Sequence, residues 1–223
     1  MKKRIKQMCG AFVLTLGVSG VQASVDVTLV DTIDQVQNNG GITLPIGFPG
    51  WAAAGFSTGS QCANGCTLGD VSLFLLGFDD NLIGHGPATA GNYKLEILEN
   101  DSGALGSLVA EMIAPQFLSN ISTANVFSSP GNVTLAANTD YWVKLTSTGN
   151  GEDVLWYRAG TAGDSPWIFD PGFIPPVSGT GLSGSTPLQL KVEAVSNVPL
   201  PPAFLLMGSA LMGLFMRRKI TSR

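Results

Sequence analysis

The chain has 223 residues, of which 44% are hydrophobic and 13% charged, with 28 Gly, 13 Pro and a formal charge of −4. That balance excludes a disordered or collagen-like chain, and the length suits one ordinary domain with appendages. One His and three Cys leave little material for histidine-based catalysis or a multi-ligand zinc site.

The N-terminus is basic and then apolar. Lys2, Lys3, Arg4 and Lys6 precede an apolar run from Met8 to Val18, and Val21-Gln22-Ala23 places small residues at −3 and −1. This is the pattern of a secretory signal peptide over residues 1–23, cleaved between Ala23 and Ser24. The apolar run is too short to span a bilayer as an anchor.

Between residues 24 and 198 the charge changes sign. This stretch holds four cations (Lys94, Lys144, Arg158, Lys191) against all sixteen acids, a formal charge of −12. Phosphate recognition needs clustered Lys and Arg, so nucleic acid is excluded as a partner, and the charge opposes self-association.

The periodicity here is that of strands. Strands are expected over 25–30, 52–57, 71–75, 93–97, 107–112, 132–136, 141–146, 153–158 and 187–195. In the last of these, Leu188, Leu190, Val192 and Ala194 share one face, with Gln189, Lys191 and Glu193 on the other. Asn100 to Gly103 supplies the turn chemistry of a hairpin. The pattern predicts an all-β domain, an antiparallel, jelly-roll-like β-sandwich over 24–197, with a barrel as the alternative. Phe56, Leu73, Leu95, Leu145, Trp156 and Leu190 are its expected core. The Gly- and Pro-rich segment 159–186 reads as a long irregular loop or edge cover.

Cys62 and Cys66 are the only pair left once Cys9 departs with the signal, and an oxidising compartment would join them. So short a loop gives less than the ~3 kcal/mol expected of a 15-residue one. Asp79, Asp80 and Asn81, taken with Asp70, offer oxygen ligands for a weak Ca²⁺ site but lack EF-hand spacing; otherwise no cofactor or metal is expected. Trp142, Trp156, Tyr157 and Trp167 fit core packing, and Trp142 and Trp167 are the candidates for a sugar-binding platform. Glu96 with Glu111, or Glu152 with Asp153, could be invoked for glycoside hydrolysis, and His85 for a triad. Nothing in the sequence fixes either geometry, and no catalytic residue is expected. Asn100, Asn120 and Asn132 begin N-x-S/T triplets of the kind that arise by chance in polar strands.

The C-terminus is again a different material. Ala203 to Met216 is an uncharged apolar run of 14 residues, about 21 Å as a helix, a marginal transmembrane span. Gly208, Ser209, Ala210 and Gly213 give it a small-residue face. Prolines 199, 201 and 202 precede it, and Arg217, Arg218 and Lys219 follow as a basic stop on the cytoplasmic side.

This arrangement of Val198-Pro199-Leu200-Pro201, apolar helix and basic cluster resembles the PEP-CTERM sorting signal, in a VPLP form with Leu200 where the commoner motif has Glu. The resemblance covers residues 198–223. It implies processing by an exosortase, a membrane cysteine protease-transpeptidase, with the body released or re-anchored, in a Gram-negative-type bacterium that makes exopolysaccharide. The body is similar to the choice-of-anchor extracellular domains, through Gly55 to Gly59, Tyr93 to Ala110 and Val133 to Val143. That similarity implies a surface β-domain and assigns no activity.

The expectation is therefore a non-enzymatic, exported protein. It is held transiently in the inner membrane with its body in the periplasm, then delivered to the cell surface or medium. Its role would be structural or adhesive, associated with exopolysaccharide, biofilm or other surface proteins. The alternatives are a carbohydrate-binding module using exposed tryptophans and, third, a secreted hydrolase.

Overall fold

The computed structural model describes residues 22–33, 41–44, 50–79, 92–147, 152–159, 166–170, 177–179 and 187–199. The chain divides into the unit Ser24–Val198 and a second unit formed by Met1–Ala23 with Pro199–Arg223. Most of the signal segment, Leu200, Pro201, the apolar run Ala203 to Met216 and the cluster Arg217, Arg218, Lys219 lie outside the described residues. So do His85, Asp80 and Asn81. Among the described residues no helix is long and apolar enough to cross a membrane.

The described protein is all-β, in two antiparallel sheets. The strands in chain order are β1 (Gln22–Asp31), β2 (Gly41–Leu44), β3 (Trp51–Ser57), β4 (Cys66–Asp79), β5 (Tyr93–Asp101), β6 (Ala104–Glu111) and β7 (Thr123–Phe127). They continue with β8 (Thr134–Leu135), β9 (Asp140–Ser147), β10 (Glu152–Tyr157), β11 (Trp167–Asp170), β12 (Val177–Gly179) and β13 (Leu190–Pro199). The seven-stranded sheet runs β1-β13-β4-β10-β2, with β7 and β8 also paired to β4. The six-stranded sheet runs β12-β11-β3-β9-β5-β6.

The long strand β4 organises the first sheet. Its residue Leu73 pairs with Leu190 of β13 on one edge and Asn125 of β7 on the other. Leu75 likewise pairs with Trp156 of β10 and Thr123 of β7. One edge of β4 is thus shared in succession by β13 and β10, the other by β8 and β7.

The expected alternation fills a single core between the sheets. Phe56, Leu73, Leu95, Leu145, Trp156 and Leu190 all belong to it, with Ile42, Leu44, Phe127 and Trp167. Burying such side chains contributes about 1.5–3 kcal/mol each, which is what holds the two layers together. The β5–β6 hairpin turns where expected: Asn100 Oδ1 accepts a hydrogen bond from the Gly103 amide at 2.6 Å. Ser102 and Gly103 both have positive φ, 54° and 92°, the combination a type I′ turn requires.

Four expectations need correction. The segment 159–186 contains two strands, because Trp167–Asp170 pairs with β3 and Val177–Gly179 pairs with Trp167–Asp170 in turn. They extend the six-stranded sheet at its edge, where short strands tolerate flanking Gly and Pro. Strands β2 and β7 are additional to those expected. Gln189 does not face solvent; it is buried, and its amide nitrogen donates to the Arg158 carbonyl at 2.9 Å. Finally, Asp70 is not near Asp79: both lie on β4, nine residues or about 30 Å apart, too far to share a Ca²⁺ ion.

Candidate functional site

The two faces of the six-stranded sheet are set by the parity of β9. Tyr141, Val143 and Leu145 enter the core between the sheets. Trp142, Lys144 and Thr146 therefore point to the outer face. The register across β5, β9 and β3 arranges that face in rows: Lys94–Thr146–Trp51, Glu96–Lys144–Ala53 and Leu98–Trp142–Gly55. A fourth row follows, with Asp140 opposite Ser57 and Asn100 carried into line by the pairing of Glu99 with Tyr141.

The first two rows are ionic. Lys94 Nζ lies 2.8 Å from Glu96 and 3.0 Å from Glu111, the residue opposite Glu96 on β6. Lys144 Nζ lies 3.5 Å from the second oxygen of Glu96 and 5.4 Å above the Trp51 ring. Two acids and two bases form a charge-balanced quartet that ties β6, β5 and β9 together. The hydrogen bonds to Glu96 and then Glu111 raise the Lys94 pKa above its ordinary 10.5. The Glu96–Glu111 pair raised from the sequence is therefore brought together, but with a lysine on both carboxylates. This is the arrangement of a clamp between strands. Cross-strand register was the missing signal: once Leu95 is set against Leu145, Glu96 must face Lys144.

The third row is covered. Its Leu98 and Trp142, with Ala53 of the second row, are buried in a small second cluster, with Trp51, Leu105 and Ile168 packed against it. Trp142 is 1% exposed and its indole N–H donates to the Ala104 carbonyl at 3.0 Å. Trp167 is 5% exposed and belongs to the core on the opposite face. Its ring carries the Arg158 guanidinium at 5.0 Å. The expected sugar platform of Trp142 and Trp167 is thereby overturned: neither ring is open, and the two lie on opposite faces of one sheet.

The fourth row borders a cavity of about 350 Å³ lined by Gly55, Phe56, Ser57, Asn100, Asp140, Tyr141 and Pro166. A second cavity, about 360 Å³, sits at the β1–β13–β4 flank between Asp26, Asp70 and Glu193. Among the described residues no group of three or more His, Cys, Asp or Glu is placed to hold a metal ion.

The described positions of the expected cleavage site and sorting motif fall at strand ends. Ala23 and Ser24 lie in β1, and Val198 and Pro199 close β13, its neighbour in the sheet. The Thr32 amide donates to the Leu190 carbonyl at 2.9 Å, and Asp26 to Thr28 line the same cavity as Glu193 to Val195. Strands in that antiparallel arrangement bring the Ser24 and Val198 ends of the body to adjacent positions.

Cys62 and Cys66 form a disulfide with Cα atoms 5.3 Å apart. A 3-10 turn, Gly59–Cys62, and Gly65 at φ 81° close the loop. The bridge is buried with Ala194 and packed by Val27 and Leu29, so it anchors the start of β4 beneath β13 and β1.

Comparison with known proteins gives no assignment: no family model matches the chain, and no curated protein matches it.

Proposed function

We propose that this chain is an exported structural or adhesive protein of the cell surface or extracellular matrix. In this reading residues 1–23 are a cleaved signal peptide. The body is a jelly-roll-like β-sandwich of the choice-of-anchor kind, and residues 198–223 are a PEP-CTERM-like sorting signal. An exosortase acts on the Val198–Pro201 motif while the short apolar run holds the chain in the inner membrane. The body, in the periplasm until then, passes to the surface or medium and meets exopolysaccharide or other surface proteins. It does so without catalysing a reaction.

The observation that supports the reading is the buried Cys62–Cys66 bridge in an all-β body. Such bridges persist in oxidising compartments and are rare in the cytosol. The prolines around the motif keep it extended and free of helix hydrogen bonds, the form a protease accepts.

Replacing Pro199 and Pro201 by Ala tests the processing step. Membrane insertion needs only the apolar run and the basic stop, so it persists. Full-length variant then accumulates in the inner membrane, whereas wild-type body reaches the outer envelope or medium. Equal release of variant and wild type contradicts the role given to the motif.

A further inference from the structure

We infer that the fourth-row cavity on the outer face of the six-stranded sheet is a binding site for a neutral sugar ring. The inference does not depend on the export reading.

Three polar side chains meet there from three neighbouring strands: Ser57 on β3, Asp140 on β9 and Asn100 on β5. Adjacent strands lie about 4.8 Å apart, so the three groups form a short straight ladder on the scale of one sugar ring. Their capacities differ. Asn100 Oδ1 is committed to the Gly103 amide, which fixes the amide plane and leaves its NH₂ group to donate. Among the described residues the Asp140 carboxylate has no ion pair or hydrogen bond and is left to accept. The Ser57 Oγ accepts from the Gly59 amide at 3.4 Å, and its hydroxyl hydrogen and second lone pair are left to donate and accept. A sugar hydroxyl donates and accepts at once, so a carboxylate beside an amide NH₂ is a matched pair for vicinal hydroxyls.

The walls are apolar. Pro166 closes against Gly55, whose amide donates to the Pro166 carbonyl at 2.8 Å. A Cβ at residue 55 would stand 2.6 Å from the Pro166 ring and 3.5 Å from Trp142. Glycine there lets Pro166 sit directly on the strand and present its ring to the cavity, a surface for sugar C–H groups. The volume, about 350 Å³, is at the small end of ligand sites and suits one ring.

The same lining rejects other ligand classes. One carboxylate is too few for Ca²⁺, which takes six to eight oxygens. An anionic sugar or a phosphate would face Asp140 with no cation in the lining. The tryptophan platform expected from the sequence is replaced here by a polar row next to a buried tryptophan.

The test uses the full-length chain in a detergent without a sugar headgroup. Saturation-transfer NMR is recorded with glucose, galactose, mannose, N-acetylglucosamine and sodium glucuronate offered separately. At least one neutral sugar receives saturation, and glucuronate does not. Asp140→Ala and Asn100→Ala each weaken that binding roughly tenfold, the usual loss for a hydrogen bond involving a charged or well-oriented group. Asp140 is exposed at the middle of the row, and Asn100, half-buried at one end, also accepts from the Gly103 amide in the hairpin turn, so each variant is compared with wild type by far-UV circular dichroism and a matching spectrum shows the fold intact. Asp140→Asn serves as a shape-preserving second variant with the same expected loss. No transfer to any neutral sugar, equal transfer to glucuronate, or full binding by the Asp140 and Asn100 variants would overturn the assignment.

Discussion

The inner and outer faces of the six-stranded sheet are built from the same strands and differ in kind. Inside, Tyr141, Val143 and Leu145 join one continuous apolar core with the other sheet. Outside, the alternate residues sort into ionic rows, one buried aromatic row and one polar row around a cavity. In an antiparallel sandwich the outer face is commonly just the solvated side. Here Ala53, Leu98 and Trp142 are buried on it, because Ala104 and Leu105 of the β5–β6 hairpin reach over Trp142 and the Pro166 ring sits on Gly55 beside it. The inner face sets stability, and the outer face is where specificity can be added without disturbing the core.

Substitution of the tryptophans breaks or sharpens this contrast most strongly. Trp156→Ala removes a fully buried side chain that the seven-stranded sheet contributes to the core facing the inner face, with its hydrogen bond to the Gln189 carbonyl, and should cost about 3–5 kcal/mol in urea unfolding. Trp142→Ala on the outer face should cost about 3 kcal/mol. A loss within ~0.5 kcal/mol, the size seen at open surface positions, would show Trp142 to be exposed after all.

The ionic rows come next. Glu96→Gln deprives both Lys94 and Lys144 of their shared partner and should cost about 1 kcal/mol. Measured again at ~1 M salt, the cost should shrink, because these groups remain in contact with solvent. A cost unaffected by salt would place the quartet in a drier environment than its exposure indicates.

The smallest effect is one of pH. Lys94 has its pKa raised by Glu96 and Glu111, so its contribution is complete below the ordinary 10.5 and is lost as pH rises through the higher folded value. Lys191 shifts in the same direction through its hydrogen bond to Glu193. Lys94→Met should therefore flatten, without abolishing, the loss of stability above pH 10.5 seen in thermal melts. A variant whose high-pH profile matches wild type would remove Lys94 from the account.

Much of this architecture was legible in the alternation of β4, β5, β9 and β13, whose apolar faces name the core residue by residue. The outer face was legible only in part. Period-two reading correctly turns Trp142 away from the core, but the cover above it comes from Ala104, Leu105 and Pro166, which are distant in sequence from β9. The same limit hid the cavity, since Ser57, Asn100 and Asp140 become neighbours only through strand order. Gln189 was misplaced because the chain bends into a bridge with Arg158 before β13 begins. Strands β2, β11 and β12 are three or four residues long, too short for a period to emerge. β11 and β12 are also flanked by Gly and Pro in the sequence.

The central claim is that the body is exported and cut free of its tail, and intact mass spectrometry of the protein recovered outside the cytoplasm tests it most directly. The account predicts a species that begins at Ser24, lacks residues 203–223, and is two hydrogens lighter than its reduced mass through Cys62–Cys66. A wild-type chain that retains Arg223 in every fraction would contradict it.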